Sequence, residues 1–80
     1  MDLPELAKQF GQLRKAMKSN PTGEREQDKA ISAVADAEEA AANGDSLQAL
    51  RYLKSAGTWT LGVAEKIGVA LVLEALKKVM

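Results

Sequence analysis

The 80-residue chain has no cysteine, no histidine and only three aromatic residues, Phe10, Tyr52 and Trp59. Without Cys there is no disulfide, no thiolate nucleophile and no sulfur metal ligand, a composition that fits a reducing cytosol. Without His the chain lacks the commonest general base and metal ligand. Neither a Gly-rich phosphate loop after a strand nor a nucleophile-elbow pattern is present. Paired carboxylates occur only on helix faces that read as solvated, among them Asp36 and Glu39, with Asn43 on the same face. A hard cation would need carbonyl turns and further ligands beside those three side chains. The expectation is a chain that is not an enzyme, with no catalytic residue, no metal site and no cofactor.

An excess of one charge is also missing. Lys and Arg number 11, Asp and Glu number 11, and the net charge is zero. Neutrality argues against nucleic acid as a partner, and the segment 46–56 carries only Arg51 and Lys54, too little for a recognition helix. No uncharged run approaches the ~20 residues of a membrane span. In the most apolar region, Ile67–Leu73 is seven residues long between Lys66 and Glu74. A membrane-associated element built on Ile67–Met80, with Lys77 and Lys78 at the headgroups, is the alternative reading. Glu65 and Glu74 oppose it. The opening Met1-Asp2-Leu3-Pro4-Glu5 lacks a basic and then apolar leader pattern, so the expectation is no signal peptide and a cytoplasmic location.

What the chain does have is helix-forming sequence with clear punctuation. Its last 22 residues hold 11 of its 23 large apolar residues, and the upstream sequence reads as a cover for them. Asp2 and Glu5 have capping-box spacing, with Met1 and Leu6 placed as a hydrophobic staple. Leu3, Leu6, Phe10, Leu13 and Met17 then recur at steps of 3, 4, 3 and 4, a heptad-like seam. Gly11 lies off that seam and costs up to about 1 kcal/mol against Ala. Arg14, Lys15 and Lys18 suit the negative end of this helix, and Ser19-Asn20-Pro21-Thr22-Gly23 ends it.

A second helix runs from about Glu24 to Ala42, with Ala30, Ala33, Ala37 and Ala40 allowing close approach of a neighbour. Of 37 hydrophobic residues 14 are Ala, so the core must be thin and closely spaced. Asn43-Gly44 stops this helix, and Asp45 with Gln48 has the spacing of a second capping box. Gly57 interrupts the next pattern, and Thr58 is placed to cap the last helix. Tyr52 and Trp59 flank that corner and read as a wedge between two helices. Residues 30–50 carry four acidic groups and no basic one, and residues 51–80 carry five basic and two acidic.

The stretches Ala37-Glu38-Glu39-Ala40-Ala41-Ala42-Asn43-Gly44-Asp45, Leu53-Lys54-Ser55-Ala56-Gly57-Thr58-Trp59 and Ala64-Glu65-Lys66-Ile67-Gly68-Val69 carry a resemblance. Over residues 24–78 the chain resembles an uncharacterised Ala-rich helical module of bacterial proteins. That module often stands at the C-terminal end of longer, signalling- or defence-like chains. The Gly-Asp junction and the Gly-x-Trp corner are the specific parts. The resemblance implies a bacterial accessory or scaffolding role and carries no functional residue over.

Together these features predict an all-α fold, one domain over residues 1–80, as a small bundle of four helices near 3–18, 24–42, 46–56 and 58–79. Read as one continuous helix, the last element places Leu61, Ala64, Gly68, Leu71, Val72, Ala75 and Val79 on one uncharged face. Val69, Leu73, Leu76 and Met80 form a second apolar face, the expected interface. Either that face docks a second copy, most simply as a symmetric dimer, or another helical protein, or the seam of the first helix folds back and covers it within the chain. The functional expectation is a small helical protein–protein interaction and oligomerisation module, its bundle completed by self-association.

Overall fold

The computed structural model describes residues 2–19 and 25–79, and every regular element among them is helical. In chain order these are α1 (Leu3–Ser19), α2 (Arg25–Ala42), α3 (Ser46–Lys54), α4 (Gly57–Ile67) and α5 (Ala70–Val79). The expectation of an all-α fold holds. The expectation of four helices does not, because the last one is two.

The seam of α1 is the centre of the molecule. Leu6, Phe10, Leu13 and Met17 are all fully buried, and α1 touches α2, α4 and α5. Burying each such side chain is worth roughly 1.5–3 kcal/mol relative to leaving it in water, so this one stripe supplies a large share of the driving force. The N-terminal cap forms as its spacing indicates: the Asp2 carboxylate accepts from the Glu5 N–H at 3.2 Å, and the Asp2 carbonyl accepts from Leu6 N–H at 2.9 Å. The staple partner Met1 and the break at Asn20–Gly23 lie outside the described residues, as does the expected helix start at Glu24.

Helix α2 lies between α1 and α3 and buries Ala30, Ala33, Val34, Ala37 and Ala41. Small side chains here let the three helices approach closely, which offsets the little area that each Ala buries. Gly11 gains a reason that its helix propensity alone does not provide. A Cβ at Gly11 would stand 2.9 Å from Oε2 of Glu38. The bare backbone of α1 therefore leaves space for the Glu38 carboxylate, whose Oε1 accepts from Nε of Arg14 at 2.9 Å. Arg14 is held by α2, not only by the dipole of its own helix.

The α2–α3 junction is tight for a local reason. Gly44 adopts a left-handed conformation (φ 78°), its N–H donates to Ala41 O at 3.1 Å, and Asp45 N–H donates to Ala40 O at 2.9 Å. This pair satisfies two of the carbonyls that a helix end leaves open. The Asp45 side chain then accepts from Gln48 N–H at 3.1 Å and so caps α3. One residue closes one helix and opens the next, which folds α3 back along α2. Its own N–H is used by Ala40, so only the Asp half of the capping box forms.

Two details differ at the α3–α4 corner. Helix α3 stops at Lys54, and α4 starts at Gly57 without a side-chain cap, so Thr58 does not take that role. Instead Thr60, fully buried, donates its hydroxyl to Ala56 O at 2.9 Å. Trp59 packs partly buried against the core, whereas Tyr52 is 40 % exposed. The two rings do not form one wedge.

The largest correction falls at Gly68. The expected helix 58–79 ends there, because Gly68 is left-handed (φ 74°, ψ 37°) and caps α4. The N–H groups of Gly68 and Val69 both donate to Ala64 O, at 2.9 and 3.3 Å. Gly68 is exposed and a Cβ would meet nothing within 4 Å, so it is not part of a packed face. A new helix then begins, with Leu73 N–H donating to Val69 O at 3.0 Å. Its first turn is capped from far away: Oε1 of Gln9 on α1 accepts from the N–H groups of Leu71 at 2.9 Å and Val72 at 3.4 Å. A glutamine 62 residues earlier does what an Asp or Ser at the N-cap usually does.

Candidate functional site

The face formed by Val69, Leu73, Leu76 and Met80 is the starting point. Val69 is 4 % exposed and Leu76 fully buried, and Leu73 is partly buried against the same core. Met80 lies outside the described residues. The break at Gly68 re-aims α5, which packs against α3, α1 and α4, with Gln9 joining α1 to its first turn. Val69 and Leu76 are thus packed within the chain, and Leu73 partly so.

The surface that remains apolar lies elsewhere. Leu47 is 63 % exposed, Ile67 41 % and Tyr52 40 %. Two of the three are on α3. Beside Tyr52 runs a furrow between α2 and α3 and the α3–α4 corner, made of three adjoining concavities of about 290, 350 and 420 Å³. Asp36 and Tyr52 line both the first and the third, and Lys29 and Ser55 line both the third and the second. From α2 and the residue after it, the furrow takes Lys29, Ala33, Asp36, Ala40 and Asn43, at steps of 4, 3, 4 and 3. From α3 come Gln48, Tyr52 and Ser55, again at steps of 4 and 3. Trp59 stands at the far end, beside Gln27 and Thr58.

Its electrostatics are one-sided. Among the described residues, Asp28, Asp36, Glu39 and Asp45 line the furrow against the single cation Lys29. The helical repeat of α2 puts Asp36, Glu39 and Asn43 on its outer edge, and the Gly44 turn brings Asp45 alongside. Among the described residues no group of three or more Asp or Glu side chains converges to hold a metal ion. The concavities are shallow and open, unlike the enclosed clefts that bury a small molecule. Asp36, Glu39 and Asn43 are legible as one face from their spacing; the α3 wall is not, since it depends on how the Gly44–Asp45 turn folds.

No helix among the described residues is long and apolar enough to cross a membrane. The described residues thus form a small all-α fold with an acidic furrow lined in part by the exposed ring of Tyr52. No family model, curated protein or solved structure matches the chain.

Proposed function

We propose that the chain is a small helical protein–protein interaction module that self-associates or docks another helical protein, without catalytic activity of its own. The observation that carries this reading is the exposed α3 surface: Leu47 stands 63 % exposed, and Tyr52, 40 % exposed, lines an open acidic furrow. An exposed aromatic is the residue type most used as an anchor, and Tyr52 stands at the wall of the furrow. The composition supports the same reading, since neither His nor Cys is present to do chemistry. A cytoplasmic, bacterial accessory role belongs to the proposal as the setting that a Cys-free chain and the resemblance of residues 24–78 suggest.

The experiment is a measurement of solution mass by light scattering across a wide range of concentration. The expected result is a mass that rises above the 8.5 kDa of one chain. A mass fixed at one chain up to high micromolar concentration removes self-association. A helical partner would then have to be recovered from cells and shown to bind directly for the module reading to stand.

A further inference from the structure

The outer surface of α3 has two parallel rows. Gln48, Tyr52 and Ser55 form the row that walls the furrow. Leu47, Arg51 and Lys54 form a second row with the same steps of 4 and 3, one residue earlier and therefore about 100° further around the helix. All three are exposed, Leu47 most of all. The molecule thus presents a ridge, apolar at one end and basic at the other, directly beside an acidic groove.

We infer that this surface pairs with itself, as a two-fold dimer in which the ridge of each copy enters the furrow of the other. The proposal rests on reading the chain as an association module and adds the surface, the partner and the geometry. Place a two-fold axis parallel to α3, along the Gln48–Tyr52–Ser55 row. The rotation lays each ridge over the partner's groove without any shift along the helix. Heights match, because Tyr52 borders the same two concavities as Asp36, which puts neighbouring Arg51 opposite Asp36 and Glu39 of the second copy. Leu47, one residue before Gln48, falls at the level of Ala40 and Asn43, where a small side chain leaves room for it. The Tyr52 rings meet near the axis, and aromatic pairs add favourable contact there.

Charge argues for a second copy over an unrelated partner. Arg51 stands at the height of Asp36 and Glu39 of the same molecule, Lys54 at that of Asp28 and Lys29, and the whole chain is neutral. Such complementarity sets register and orientation more than affinity. An isologous contact of this kind uses both halves twice and closes on itself.

The test is a charge exchange. The groove variant is Asp36→Lys with Glu39→Lys; the ridge variant is Arg51→Glu with Lys54→Glu. All four positions are exposed, so each variant should keep its helical spectrum and unfolding midpoint close to those of the wild type. By light scattering, wild type should be a dimer, each variant alone a monomer at the same concentration, and an equal mixture of the two a dimer again. A groove-to-ridge contact restores mass on mixing, because the mixed pair has opposite charges at both of its contacts; a control pair with the same net charges, Lys8→Glu with Lys15→Glu against Glu65→Lys with Glu74→Lys, should keep the wild-type mass unmixed. As a second measurement, Tyr52→Cys in this Cys-free chain should oxidise to a covalent dimer far faster than Lys8→Cys on α1. If both charge variants dimerise as well as wild type, association uses another face; this proposal then fails while the module reading stands. Monomeric variants whose mixture stays monomeric also overturn it. A wild type that is monomeric throughout overturns this dimer and self-association together.

Discussion

Gly62 and Gly68 make a pair of substitutions with opposite expected signs. Both glycines are exposed, and a Cβ at either meets nothing within 4 Å. They differ only in backbone. Gly62 lies inside α4, where Ala is better than Gly by roughly 0.5–1 kcal/mol. Gly68 has φ 74° and ψ 37°, a conformation that costs an L-residue about 1–2 kcal/mol. Part of that cost is offset because Ala also restricts the unfolded chain by about 0.4–1 kcal/mol. The net expectation is a loss of about 1 kcal/mol for Gly68→Ala and a gain of about 0.5–1 kcal/mol for Gly62→Ala. In a domain of this size 1 kcal/mol moves the midpoint by roughly 4–8 °C. Thermal unfolding followed by far-UV circular dichroism should therefore separate the two variants by about 10 °C. Gly68→Asn, which tolerates the left-handed region better, should fall between Gly68→Ala and wild type. If 58–79 were one continuous helix, both Ala variants would gain stability. Equal midpoints, or a more stable Gly68→Ala, would refute the break between α4 and α5.

Three further outcomes rest on contacts within the fold. Gln9→Leu keeps the bulk of the side chain but removes the acceptor for Leu71 and Val72; a loss of about 1 kcal/mol is expected, with faster hydrogen exchange at those two amides than elsewhere in α5. Gly11→Ala should gain little by itself, because its Cβ meets the Glu38 carboxylate. In a Glu38→Ala background the gain should approach the full helix-propensity difference of about 1 kcal/mol, which a double-mutant cycle in urea measures. Leu73→Glu combined with Leu76→Lys should unfold the chain, not leave a folded monomer, since Leu76 is fully buried and an unpaired charge there has no solvent. A cooperative folded state in that variant would contradict the packing of α5.

The features legible in the sequence are those set within a few residues along the chain. The α1 seam is visible because Leu6, Phe10, Leu13 and Met17 repeat at the helical period and one helix buries them all. The Gly44–Asp45 junction is visible because its hydrogen bonds span five residues or fewer. The break at Gly68 is hidden for an equally local reason. No Pro, Ser or Asp comes directly after it, and the apolar pattern runs through Val69–Leu73 unbroken. The cap that makes a break there tolerable comes from Gln9, on another helix. A continuous helix puts the phase of every residue after Gly68 in the wrong place, which is how buried Val69 and Leu76 read as a free face. The groove is half visible: the α2 edge shows in the spacing of Asp36, Glu39 and Asn43, and the α3 wall appears only once the chain has turned back. Tyr52 reads toward Trp59, its near neighbour in sequence, and belongs to the α2 side.

The most direct test of the account is a concentration series of amide NMR spectra on the wild-type chain. Association through the outer surface of α3 predicts that shifts changing with concentration cluster at Leu47, Arg51, Tyr52 and Lys54 and at Asp36, Glu39 and Ala40. Amides of the buried residues Val69, Val72 and Leu76 should stay in place. Shifts centred on α5, or a spectrum that does not change up to the highest soluble concentration, would contradict it.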